Sequence, residues 1–255
     1  VSFAQVLASG RDGSVVIPET WHQGRTAYGG FSSALALAEA MRVGGDLPPL
    51  RSAQIAMMAP LFGEVRVSAK VMRVGRNATW IAAEIANDRG VGTSANFVFM
   101  RPVESGVSVH DAAPAADLIP VDQAREFVNP NAPAFLRNHF EVRFALPRTQ
   151  DRTADVCWWV RLSDTEGLDP AVALLLTADG LPPAVMPLLT AFIPVSTMHW
   201  QVNLLTATPH TQNGWWLLRS TADFAEQGCS SQRMQLWNSA GEPVLAGTQS
   251  IALFG

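Results

Sequence analysis

Lysine is all but missing from this 255-residue chain. Of its 18 basic side chains only Lys70 is not an arginine, and with a formal net charge of −4 there is no clustered basic tract. That excludes the electrostatic footprint of a nucleic-acid binder. Charge of either sign is sparse, at 16%, against 48% hydrophobic residues, so the chain carries a core rather than a disordered, self-repelling composition. Cysteine is scarce too. Cys157 and Cys229 form no metal or redox motif and read as free buried thiols of a cytosolic protein. No apolar run reaches the ~20 residues of a membrane span, and no signal-peptide pattern is legible. The five histidines, His22, His110, His139, His199 and His210, are scattered without metal-ligand spacing, so neither metal nor cofactor is expected. Gly-Lys-Ser/Thr and Gly-x-Ser-x-Gly are absent, which removes P-loop and α/β-hydrolase chemistry.

What is present is a repeat. Gly92-Thr93-Ser94-Ala95-Asn96-Phe97-Val98-Phe99 closes the first half, and Gly247-Thr248-Gln249-Ser250-Ile251-Ala252-Leu253-Phe254 closes the second. Upstream of each lies an Ala/Leu-rich helical stretch and then a break, Leu47-Pro48-Pro49 and Leu181-Pro182-Pro183. Residues 1–102 and 134–255 are therefore expected to be two similar modules, with 103–133 a Pro/Ala-rich linker holding a short helix near Asp122–Phe127. Ser94 and Gln249 stand at matched places, which suggests that one half has specialised.

In the first module, Phe3–Leu7 and Ser14–Ile17 read as a hairpin around the Ser9–Gly13 turn. Phe31, Ala34, Leu35, Ala38 and Met41 recur at helical spacing, and Gly44-Gly45 stops that helix. Strands follow at Arg51–Ala59, Glu64–Val74, Thr79–Ala86 and Gly92–Phe99. The second module repeats the order. His139–Phe144 and Ala154–Leu162 form a hairpin, and Asp169-Pro170 starts a helix through Ala178. Strands follow at Thr197–Leu205, Trp215–Phe224, Ser231–Asn238 and Val244–Phe254. A sheet with one apolar face and one helix to cover it curls around that helix. The expected fold is α+β, a double hotdog: two antiparallel sheets, each wrapped around a long central helix and joined edge to edge.

The chain resembles the acyl-CoA thioesterase II-type proteins. The resemblance rests on Thr177-Ala178-Asp179, on Val195-Ser196-Thr197-Met198-His199, and on Gly241-Glu242-Pro243-Val244 leading to Gln249. Tyr28-Gly29-Gly30 and Val71–Arg76 match the N-terminal half. It implies hydrolysis of an acyl-CoA by a water held by Asp179 as base and by Thr197 and Gln249, in a soluble cytoplasmic homodimer. His199-Trp200 and Ser250 depart from the family's usual residues.

Each residue also has a plainer reading. Asp179 suits a helix-end turn, Thr197 suits any strand, and Gln249 suits an outward face. Ser196 competes with Thr197, because a one-residue shift swaps which hydroxyl faces inward. Gly30 and Phe31 open the first helix, where N–H groups can hold an oxyanion. Glu39 is the next carboxylate, with a surface or structural role the default. The rival functions are a non-catalytic acyl- or aromatic-ligand-binding module and, more remotely, a hotdog hydratase or dehydratase.

Overall fold

The chain opens on a helix where a strand is expected. In the computed structural model, which describes residues 1–10, 13–114, 118–191 and 193–254, α1 spans Phe3–Ser9. Its start is fixed by a reciprocal cap: Ser2 accepts from the Gln5 N–H, and Gln5 Oε1 accepts from the Ser2 N–H at 2.8 Å. Phe3 and Val6 sit three apart and both are buried. A five-residue apolar run fits either period, and here the cap decides for helix. Of the expected turn Ser9–Gly13, Arg11 and Asp12 lie outside the described residues.

The first half continues with β1 (Ser14–Ile17), the two-residue strands β2 (His22–Gln23) and β3 (Thr26–Ala27), and helix α2 (Gly29–Gly44). Four strands follow: β4 (Leu50–Met57), β5 (Gly63–Val74), β6 (Ala78–Asn87) and β7 (Gly90–Met100). The second half has α3 (Ala134–His139), β8 (Phe140–Phe144), β9 (Asp155–Leu162) and α4 (Pro170–Ala178), then β10 (Val195–Leu204), β11 (Trp215–Glu226), β12 (Cys229–Asn238) and β13 (Pro243–Leu253).

All the long strands belong to one antiparallel sheet of eleven, ordered β1-β5-β6-β7-β4-β10-β13-β12-β11-β9-β8. The two halves join edge to edge, as expected, into one continuous sheet through β4 and β10, where Gln54 faces Gln201 near the centre of the pairing. The join consumes the edge that each half would otherwise expose. Helix α2 packs on β5, β6, β7 and α4. It is buried from Gly30 to Leu37, as its small residues imply. The second helix is not long. Leu181-Pro182-Pro183 follows close behind α4, which has nine residues against sixteen in α2.

The main core runs through both halves, from Phe3 and Phe31 to Leu175, Trp200 and Leu245. A second cluster, Trp159, Trp215, Leu217 and Trp237, is covered by Leu118, Ile119 and Val121 of the intermodule segment. Two indole N–H groups anchor that segment, Trp159 to the Ile119 carbonyl and Trp237 to the Ala112 carbonyl. The expected helix near Asp122–Phe127 is a turn with a single bridge from Glu126 to Arg143. Ala115, Ala116 and Asp117 of the linker lie outside the described residues. Cys157 is buried as expected, but Cys229 is exposed, and among the described residues no disulfide joins them.

Candidate active site

Asp179 stands where two helix ends meet. Asp169 caps the start of α4, its side chain accepting from the Ala171 N–H at 2.8 Å with Pro170 at the first position. The helix ends at Asp179, whose φ of −89° and ψ of 9° leave the helical region. The Gly180 N–H closes the turn onto the Thr177 carbonyl. Opposite lies the start of α2. A Cβ added at Gly29 would come 2.5 Å from Asp179 Oδ2 and 2.8 Å from Met57 Cε, so only glycine lets the helix approach this closely. The Gly30 N–H donates to the Asp179 carboxylate. Gly30 thus turns its N–H toward the carboxylate. Phe31 does not border the site, since its ring packs against Phe3 and Trp21.

Gln249 reaches the same carboxylate from the sheet. Its Nε2 donates to Asp179 Oδ1 at 2.6 Å. Its Oε1 accepts from Gln232 Nε2 at 2.8 Å, and Gln232 Oε1 accepts from the Ala184 N–H at 2.8 Å. Gln232 faces Gln249 across β12 and β13, and both are buried. This relay orients both amides, because the Ala184 N–H can only donate. Gln249 is therefore not on an outward face. Gln232 escaped the sequence reading, although the signal was there: it interrupts an apolar face of β12 that includes Met234 and Leu236.

Thr197 is set by a bulge. The inward side chains of β10 include Trp200, Val202 and Leu204, so an unbroken strand would turn Ser196 inward and Thr197 out. Thr197 faces Ile251, however, while His199 faces the next residue, Ser250, leaving Met198 as an extra residue. The bulge resets the alternation. Thr197 is half-buried on the face shared by Ile251 and Gln249, whereas Ser196 is exposed opposite Ala252.

A matching bulge in β4, where Leu50 faces Phe99 and Ser52 faces Val98, aligns the two halves. It makes Leu50 the counterpart of Thr197 and Phe97 the counterpart of Gln249. The Gly-Thr match that paired Ser94 with Gln249 is three residues out of step with the folded repeat. Both counterparts are apolar, so the first half has no second copy of this site. Glu39 is no substitute, being engaged at 2.7 Å by the exposed Arg42.

These groups share a cavity of about 190 Å³ bordered by Gly29, Asp179, Ser196, Thr197 and Gln249, with Met57, Leu61 and Pro183 among its apolar walls. Burial pushes the Asp179 carboxyl up to about 7, against the opposing pull of the hydrogen bonds from Gln249 and Gly30. Asp179 as a whole is half-buried, at the border of the cavity. The positive end of α2 also favours its charge, while the carbonyl end of α4 opposes it. Tyr28, the sole tyrosine, is buried beside it and donates to the Leu176 carbonyl at 2.9 Å. Burial first, and the Asp179 charge second, raise its phenol well above the ordinary value. His139, stacked on Trp21, is lowered by burial to about 4 and is neutral near pH 7.

Among the described residues no cluster of three or more metal-binding side chains occurs, and no helix is long and apolar enough to cross a membrane. No histidine borders the Asp179 cavity.

The sheet and its helices define a hotdog-fold protein. A hotdog protein of unknown function from Alicyclobacillus acidocaldarius superposes with a TM-score of 0.88 at 21% identity, covering 100% of this chain and 99% of that one. A Thermobifida fusca protein, provisionally titled a thioesterase II, gives 0.83 at 21% identity over 99% and 97%. The acyl-CoA thioesterase II TesB2 of Mycobacterium marinum gives 0.77 at 16% identity over 100% and 99%. A search of curated protein sequences returned no match. Family models are more specific. Residues 17–100 match the acyl-CoA thioesterase N-terminal domain and residues 107–253 the C-terminal domain. The chain belongs to the acyl-CoA thioesterase family.

Proposed function

We propose that the protein hydrolyses acyl-CoA thioesters to CoA and a free carboxylic acid, with Asp179 as general base. The observation that carries this reading is the carboxylate itself. It is held by two donors at the mouth of two helices, faces a cavity, and titrates near neutrality, where a base works best. Gln249 and Thr197 orient a water beside it. The water oxygen attacks the thioester carbonyl carbon while its proton passes to Asp179. The tetrahedral intermediate then expels the CoA sulfur, which takes that proton and leaves as the thiol. No covalent enzyme intermediate is required. The lack of a histidine at the cavity argues against the hydratase alternative.

The test is incubation with saturated and enoyl CoA thioesters of several lengths, following free thiol with a thiol-reactive dye. Thiol release supports hydrolysis. Loss of the enoyl chromophore without thiol would make the protein a hydratase, and binding without either would make it a carrier.

A further inference from the structure

Two hydroxyls in the cavity wall have no protein partner among the described residues. Ser32 is 4% exposed and Thr93 2%, both border the cavity of Asp179, and neither side chain makes a hydrogen bond among the described residues. Their neighbours are satisfied. Ser33 donates to the Gly29 carbonyl at 2.8 Å, and Thr26 Oγ1 both donates to the Leu61 carbonyl and accepts from the Leu61 N–H. Neither oxygen is among the fully enclosed side-chain atoms without a partner, so both open onto the cavity, where a ligand's polar group can pair them.

Their position relative to the carboxylate follows from the elements. Ser32 lies three residues beyond Gly29 on α2, on the same helix face and about 4.5 Å farther along the axis. Thr93 on β7 faces Met57 on β4. Met57 in turn closes on Gly29, which abuts Asp179. Ser32 therefore lies about one helical turn beyond the glycine that abuts Asp179, and Thr93 lines the same cavity. The cavity, about 190 Å³, falls below the ~300–1,000 Å³ of pockets that enclose larger ligands.

We propose that the acyl group accepted here is short and carries its own oxygen at carbon 3, a 3-hydroxy- or 3-oxoacyl chain. That oxygen bonds Thr93 Oγ1 and Ser32 Oγ. This rests on the thioesterase reading above. A plain alkyl chain of the same length displaces water from both hydroxyls and returns nothing, which costs about tenfold or more in specificity for each group left unpaired.

The experiment compares kcat/KM for butanoyl-CoA, 3-hydroxybutanoyl-CoA and 3-oxobutanoyl-CoA, with long-chain acyl-CoAs alongside. The wild type is expected to favour an oxygenated substrate over butanoyl-CoA by ten- to hundredfold. Thr93→Val replaces the hydroxyl by a methyl of equal size and is expected to collapse that ratio, with Ser32→Ala reducing it. The ratio within one variant is insensitive to any loss of folded protein. Equal rates in the wild type, a preference for butanoyl-CoA or long chains, or a Thr93→Val variant that keeps the ratio would overturn the proposal. Absence of thiol release from every substrate would instead sink the thioesterase reading. The affinities of the same thioesters, measured by calorimetry, would then decide whether the oxygen is recognised.

Discussion

At the scale of single residues, the site turns on how Gln249 and Gln232 hold Asp179. Gln249 donates to the carboxylate and so lowers its pKa against the upward push of burial. Gln249→Ala removes that donor. The variant is expected to hydrolyse more slowly than the wild type, and the rising limb of its pH–rate profile should move above pH 7. A limb that stays in place or moves down would separate Gln249 from Asp179. The Gln232 side chain bonds Gln249 and the Ala184 N–H and does not border the cavity, so it is a positioning residue. Gln232→Met should shift the limb in the same direction, and combining it with Gln249→Ala should add little. Asp179, Thr197 and Gln249 were picked out by their order along the chain and its family resemblance, and the structure brings the three to one cavity. Gln232 was missed, although its place on β12 in step with Met234 and Leu236 marked it as facing inward.

At the scale of elements, the periodic segments were easy to read and the interruptions were not. The alternation of Val65 and Val67 with charged residues, and the apolar spacing along α2, match the burial observed. The first seven residues misled because so short an apolar run carries no period of its own, and a cap outweighed β-propensity. The bulge at Met198 was invisible, since nothing in Ser-Thr-Met-His marks an extra residue. Yet it puts Thr197 rather than Ser196 on the face of Gln249, although both border the cavity. Thr197→Val, which removes the hydroxyl and keeps the shape of the side chain, should reduce hydrolysis while the far-ultraviolet circular dichroism remains that of the wild type. Retained full activity in a folded Thr197→Val variant would show that Thr197 has no part in holding water.

At the scale of the whole molecule, the site belongs to both halves. Asp179, Thr197 and Gln249 come from the second, while Gly29, Met57 and Thr93 of the first complete its walls. The repeat announced two modules, but the register of the β4–β10 join could not be read from matched tripeptides, as the misplaced pairing of Ser94 with Gln249 illustrates. We propose that the chain assembles further as a homodimer, and light scattering should then give twice the 27.4 kDa of one chain.

The raised carboxyl also has a consequence for stability. Asp179 titrates near 7 in the folded protein against an ordinary 3.8, so its contribution is fully present below about pH 4 and is lost as pH rises through about 7. Chemical denaturation at pH 5 and pH 8 should show a fall in stability that Asp179→Asn abolishes. An unchanged slope in the variant would mean the fall comes from other groups.

The most direct measurement is hydrolysis by Asp179→Asn across the pH range. The substitution keeps the size of the side chain and removes the base. A positioned base contributes about 100- to 10,000-fold. The wild-type kcat/KM should rise through about pH 7 to a plateau, and the variant should lie that far below it with the rise gone. Full activity in Asp179→Asn, with the wild-type pH profile intact, would contradict the assignment of Asp179 as the base.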